Sequence, residues 1–451
     1  MASSIDGNNQ PRIVLDAGDN PLVIWGSLGD LKFSKRTNGK FSTPINLNPD
    51  GIKIAQASWM GPDIASQGDL VYVVYKQLPE GSPNSHIYCI KSTNGGASFS
   101  APVRVDYIND SLSRFPTVAI DDIGNPVVGF MKFHPGFTEP NWVVCRSLDG
   151  GESFNAEVAA GNWSSSKAEA CDCCPGDLEI GGANTVMAYR DNDENIRDIW
   201  LGVSVDSAKS FKTGFNADDN NWLINSCPAS GPDVFILGDS VYSVFMNGAS
   251  GSNLCYMSRS SLNEQSTTGA YLLSYNDVNI SKQNYPRIDN HQNQAVSAWQ
   301  QVRNNQVEIG LSYTRNIVQS SSHWSETIAT SDVRNVDLAM SEDSIFMVWQ
   351  NNTSSTVKFM AGSTEEVASI GDVSIKNIRI LSNPTHTSIG IESSHGIQQV
   401  LMYNAIGTLM LDKELNNLKT LSLDLTDWNV GVYTLKLRTD VGWRSSRILR
   451  Y

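Results

Sequence analysis

The chain is short of positive charge: 33 Lys and Arg stand against 47 Asp and Glu, a net charge of −14. That balance disfavours nucleic acid and anionic membrane surfaces, which both require a cationic face. No apolar run is long enough to cross a bilayer, so no transmembrane segment is expected. The opening Met1-Ala2-Ser3-Ser4-Ile5-Asp6-Gly7 has neither a basic stretch nor an apolar one. It is read as a chain whose export signal has been removed. Residues 1–370 hold no sustained 3.6-residue apolar period, so helices are expected to be few. What remains is 40% hydrophobic and only 18% charged in 451 residues, a globular composition long enough for more than one domain.

What is present is a repeat. A short strand, a turn and an apolar strand ending in an aromatic recur seven times, ending at Trp25, Tyr75, Phe130, Tyr189, Phe245, Trp299 and Trp349. The steps of 50, 55, 59, 56, 54 and 50 residues each suit one four-stranded sheet. Val, Ile, Tyr and Trp alternate in the strands, and Gly, Asn, Asp or Pro fill the turns. The expected fold is all-β: a β-propeller of seven, alternatively six, blades, with each repeated aromatic packed between blades. The last copy shows three clear strands, so a strand from near the N-terminus is expected to close the ring.

A second motif ends the third strand of several copies. Ser92-Thr93-Asn94-Gly95-Gly96-Ala97-Ser98-Phe99 and Ser147-Leu148-Asp149-Gly150-Gly151-Glu152-Ser153-Phe154 are the clearest, with a weaker copy from Ser204 through Asp206 to Phe211 and a shortened one from Arg36 to Phe41. Asn94, Asp149 and Asp206 would accept backbone N–H groups in a tight turn. Gly96 and Gly151 would supply positive φ, and Phe99, Phe154 and Phe211 would fold back onto the sheet. This pattern resembles the Asp box of sialidase-like propellers, over roughly residues 11–366. Asp boxes are structural fasteners, so the resemblance implies a superfamily and no reaction.

Composition and pitch change after Ser363-Thr364-Glu365-Glu366, which sets domains at 1–366 and 367–451. The second part reads as a small β-sandwich. Its order of Asn383-Pro384-Thr385, Tyr403-Asn404-Ala405-Ile406-Gly407, Gly431-Val432-Tyr433 and a basic-apolar end, Arg447 to Tyr451, resembles the type A sorting domain of the type IX secretion system. The departure is Ser382, where that family usually has Pro. The resemblance implies a Bacteroidetes-type origin, the type IX machinery as partner, and delivery to the medium or the cell surface.

Seven cysteines leave one unpaired at least. Cys89, Cys145 and Cys255 sit in apolar strands and read as small buried hydrophobes. Cys171, Cys173 and Cys174 crowd into four residues, and Cys227 opens the next repeat. Disulfides tying neighbouring repeats are the first reading, a thiolate metal site the second, a reactive thiol the third. No metal is assigned and no motif names a cofactor.

A sialidase-like glycosidase needs three arginines to clamp a carboxylate, with a Tyr nucleophile and its Glu. The first-repeat motif aromatic-Arg-Ile-Pro is absent; Pro11-Arg12-Ile13-Val14 has Pro on the other side. Arg12, Arg114, Arg190 and Arg287 lie near ends of inner strands but do not share a common register, and no catalytic residue is assigned. Two functions follow as expectations. The favoured one is a secreted propeller that binds extracellular glycan or protein; the alternative is a sialidase-like exo-glycosidase.

Overall fold

In this computed structural model the described residues are 8–107, 109–274, 279–319, 324–328, 332–364, 378–381, 385–404, 408–439 and 442–450. The chain divides into two compact units, Met1–Thr364 and Glu365–Tyr451. The opening Met1–Gly7, the boundary at 366/367 and the motif residues Asn383, Pro384, Ala405, Ile406 and Gly407 lie outside the described residues.

The first unit is all-β. Seven antiparallel sheets follow one another along the chain among the described residues. Each contains an inner strand, which in the fourth sheet follows the short strand Glu169–Ala170: Asn8–Leu15, Asp63–Gln67, Leu112–Ile120, Asp177–Gly181, Asp233–Leu237, Ile280–His291 and Val333–Met340. Each inner strand pairs with a second strand that carries the repeated aromatic. All seven aromatics are buried, from 0% exposed for Phe130, Tyr189 and Phe245 to 5% for Trp349. An aromatic buried between two sheets removes a large apolar area from water, which is why that position repeats.

Among the described residues, five of the seven junctions between neighbouring sheets share one fastening. A carboxylate of one inner strand accepts the backbone N–H of the next: Asp63 from Val118, Asp177 from Val234, Asp233 from Ile288, and Asp289 from Met340. The last joins the first, since Asp337 accepts from Ile13 at 2.9 Å. Around that junction Ile13, Val23 and Trp25 pack with Ala339, Phe346, Val348 and Val357. Phe41 meets Phe359 edge-on at 5.0 Å. The seventh sheet has three described strands, and among the described residues no N-terminal strand is added to it. Residues 1–7, on which the expected closing strand could fall, lie outside the described residues; among the described residues the two sheets are joined by side-chain packing, by Asp337 and by a hydrogen bond from Gln350 to Asn9. All seven inner strands line one cavity of about 400 Å³.

Three of the Ser-x-Asp/Asn turns share one hydrogen-bond network. In the third sheet Ser147 Oγ donates to Asp149 at 2.7 Å and accepts from the Gly151 N–H at 2.8 Å, while the Ser153 N–H donates to Asp149 at 2.9 Å. Ser92, Asn94, Gly96 and Ser98 repeat it, and so do Ser204, Asp206, Ala208 and Ser210. The turn aromatics reach the preceding sheet: Phe99 lies 4.8 Å from Phe33, Phe154 packs with Tyr72, and Phe211 packs in a cluster with Val127 and Val144. A Cβ on Gly96 would fall 2.5 Å from Phe33, at a φ of 80°, so both space and backbone require glycine there.

The second unit is one five-stranded sheet built from Ile378–Leu381, Ser388–Tyr403, Leu409–Asp424, Gly431–Thr439 and Gly442–Arg450. A register break between Glu392 and Ile397 divides its long strand. The first half pairs with Ile378–Leu381 and the second with Gly431–Thr439. A partner switch within one strand therefore replaces the two separate sheets expected of a sandwich. Ile389, Ile391, Val400, Met402, Leu435, Leu437 and Ile448 form its core.

Candidate functional site

The site is built by an irregularity in the inner strands. Four of them break register where they enter the sheet: between Asn9 and Arg12, Arg114 and Thr117, Asn284 and Arg287, and Arg334 and Asp337. At each break one non-glycine residue is left-handed: Gln10 (φ 53°), Phe115 (53°), Tyr285 (52°) and Asn335 (49°). Such residues cost about 1–3 kcal/mol each, and they cluster where a side chain must be aimed. All four line two adjoining shallow depressions at one end of the cavity, together with Arg12, Arg287 and Trp59. Trp59 is 41% exposed there.

The arginines separate into two groups. Arg12 and Arg287 occupy the same register in the first and sixth sheets, each following a left-handed residue and a proline. Arg114 and Arg190 stand at other positions, so the four do not share one register. Arg287 bonds Asp233 at 3.0 Å and Asp337 at 2.8 Å, and Arg12 faces Asp63 at 3.5 Å. The buried Nε atoms of Arg12 and Arg334 have no hydrogen-bond partner among the described residues. Arg114 is paired with Glu80 and stacked 4.1 Å over Phe137. Arg190 is fully buried and donates to the carbonyls of Ser230, Arg197 and Met246. It binds the next sheet and is not open to a ligand, a correction of the expected ligand role. Three arginines convergent on one carboxylate are not found among the described residues.

Below the mouth the cavity is acidic. Burial pushes the Asp177 carboxyl well above its ordinary range, helped by the charge of Asp233. Burial likewise raises Glu179 to about 8 and Asp289 to about 7. The shared cause is that a buried carboxylate without enough compensating charge is unfavourable.

Cys173 and Cys227 are joined by a disulfide with Cα atoms 6.4 Å apart, which ties the turn before the fourth inner strand to the loop before the fifth. Cys171 and Cys174 are free and buried, as are Cys89, Cys145 and Cys255. Sequence reasoning missed that Cys171-Asp172-Cys173-Cys174 contains a Cys-x-x-Cys pair; the spelling alone held that signal. It also missed Tyr285 and Trp59.

Residues 380–449 match the family described as the secretion system C-terminal sorting domain. The protein is thus a type IX secreted, cell-surface or extracellular protein, with the type IX machinery as the partner of that domain. No helix among the described residues is long and apolar enough to cross a membrane. No curated protein matches the chain by sequence. Among solved structures, an ulvan lyase from a new polysaccharide lyase family is similar at 10% identity and TM-score 0.51, over 81% of this chain and 97% of that one. An α-L-arabinofuranosidase from Fusarium graminearum (11% identity, TM-score 0.47, 68% and 93% covered) and a protein of unknown function from Dyadobacter fermentans (12%, 0.48, 70% and 95%) are also similar. At such identities the likeness to the lyase concerns the fold alone.

Proposed function

We propose that this is a secreted, seven-bladed, sialidase-like propeller, spanning about residues 1–366, that binds extracellular glycan at the mouth formed by Gln10, Arg12, Trp59, Phe115, Tyr285, Arg287 and Asn335. Residues 367–451 serve export. The observation that carries the reading is the set of four left-handed residues at matched positions, gathered around two guanidiniums beside an exposed Trp. Exposed aromatic faces offer platforms for the apolar faces of sugars, and the amide and guanidinium groups supply directed hydrogen bonds. The Ser-x-Asp turns, as Asp boxes, are fasteners of this scaffold.

Charge favours a neutral glycan over an acidic one. Arg287 already holds two carboxylates and Arg12 faces a third, so a ligand carboxylate would have to displace them. The test is retardation in native gels containing neutral or acidic polysaccharides. Wild type should be slowed by a neutral polysaccharide and Trp59→Ala should run free; equal mobility of the two in every gel would refute the assignment. A second reading, exo-glycosidase activity, draws on Asp177 at the base of the mouth, whose carboxyl is pushed above its ordinary range by burial and by Asp233. It expects release of reducing sugar that Asp177→Asn abolishes.

A further inference from the structure

Beside the mouth, the Sγ atoms of Cys171, Cys173, Cys174 and Cys227 all lie within 4.8 Å of one another. Their surroundings are unequal. Cys227 is exposed and Cys173 half-buried, while Cys171 and Cys174 are buried. Cys171 Sγ lies 3.7 Å from Cys173 Sγ and 2.7 Å from Cys174 Sγ. Arg197 directs Nη1 at Cys171 Sγ from 3.1 Å. The backbone fixes the group: the Cys171 N–H donates to the Arg190 carbonyl, and the Cys174 N–H closes a turn onto the Cys171 carbonyl.

We propose that these four cysteines form a thiol–disulfide exchange site, in which Cys171 is the nucleophile and the bridge moves between the exposed pair Cys173–Cys227 and the buried pair Cys171–Cys174. A four-thiolate metal site would need every sulfur unbonded, yet two are joined. A permanent second bridge would be neutral and would leave Arg197 aimed at a sulfur without charge. An exchange site uses every feature. The guanidinium stabilises the thiolate, which is the attacking form. The Cys174 hydrogen bond and the charges of Arg197 and Arg190 lower the Cys171 thiol against the opposing effect of burial.

The chemistry balances without an external oxidant. The Cys171 thiolate attacks Cys173 Sγ; the Cys171–Cys173 bond forms, the Cys173–Cys227 bond breaks, and the electron pair leaves on Cys227. That exposed sulfur takes up the proton that Cys171 had released. Cys174, losing its proton, then attacks Cys171 Sγ; the Cys171–Cys174 bond forms, and Cys173 leaves and takes up that proton. One disulfide and two thiols exist before and after. The loop at Ser226-Cys227-Pro228 is tethered in one state and released, with an accessible thiol, in the other.

Trypsin places Cys171, Cys173 and Cys174 in peptide 168–190 and Cys227 in peptide 213–259, so mass spectrometry after native alkylation separates the states. In full-length Cys174→Ser the second step is blocked. A bridge inside peptide 168–190 should appear with Cys227 alkylated, at least tenfold above its level in Cys171→Ser, which should show only the cross-link between peptides. If Cys174→Ser shows that cross-link alone, the proposal fails. Wild type is a control independent of variant folding. Alkylated without any reductant, a fraction of wild type should carry Cys227 alkylated while peptide 168–190 keeps an internal bridge. A cross-link retained throughout, with Cys171 and Cys174 both alkylated, overturns the proposal. So does one stoichiometric zinc or copper ion with all four thiols protected until a chelator is added.

Discussion

The Ser-x-Asp turns and the mouth are both repeated through the sheets, and they repeat different things. The turns conserve side chains together with backbone: three copies place the same Ser hydroxyl and the same acceptor on the same N–H groups. At its left-handed positions the mouth repeats the backbone and not the side chain. Its four left-handed positions carry Gln10, Phe115, Tyr285 and Asn335, four different side chains in one conformation. Identical side chains suit a fastener that does the same task at each of the three junctions where it occurs. Gln10, Phe115 and Asn335 are buried, so the strained frame shapes the floor of the mouth, while Tyr285 and Trp59 are the aromatics left open to a ligand.

Substitutions should separate the two regions by sign. The largest effect is expected on the fastener side: Phe154→Ala removes a buried aromatic from the junction of the second and third sheets and should cost about 3–5 kcal/mol in urea unfolding. Glycan binding by the folded fraction should not change. Ser147→Ala, which deletes a hydroxyl bonded to both Asp149 and Gly151, should cost about 1–2 kcal/mol, again without loss of binding. Tyr285→Gly should do the reverse. Glycine relaxes the left-handed backbone, so stability should change by under about 1 kcal/mol, while polysaccharide affinity falls at least tenfold.

The smallest effect is on pH dependence. Hydrogen bonds from Ser153 and Ser147 hold the Asp149 carboxyl down to about 2, and those from Ser210 and Ser204 do the same for Asp206. A carboxyl lower in the folded state stabilises above its unfolded value, and that contribution is lost as pH falls through the folded value. The urea midpoint should therefore drop between about pH 4 and pH 2, and less steeply in Asp149→Asn than in wild type.

The legibility of these regions in the sequence follows the range of their interactions. A Ser-x-Asp turn is bonded within about five residues, so its letters suffice. The repeated aromatics were legible because burial between sheets demands the same large side chain at each pitch. The mouth was not, because a register break is invisible until a strand has a partner. Pro11-Arg12-Ile13 and Pro286-Arg287-Ile288 share their spelling, and only pairing with the second strands shows the two arginines to be equivalent. Arg190 was read as a ligand group because its three acceptors, at Ser230, Arg197 and Met246, lie up to 56 residues away. The cysteine cluster was conspicuous, yet its polarity depends on Arg197, 26 residues beyond Cys171.

The most direct test of the mouth as the binding surface is amide hydrogen exchange with and without a saturating neutral polysaccharide. Binding at the mouth predicts slowed exchange in segments 54–62 and 284–288, with exchange in the turns at 92–99, 147–154 and 204–211 unaltered. Protection of those turns with no change at the mouth would contradict it.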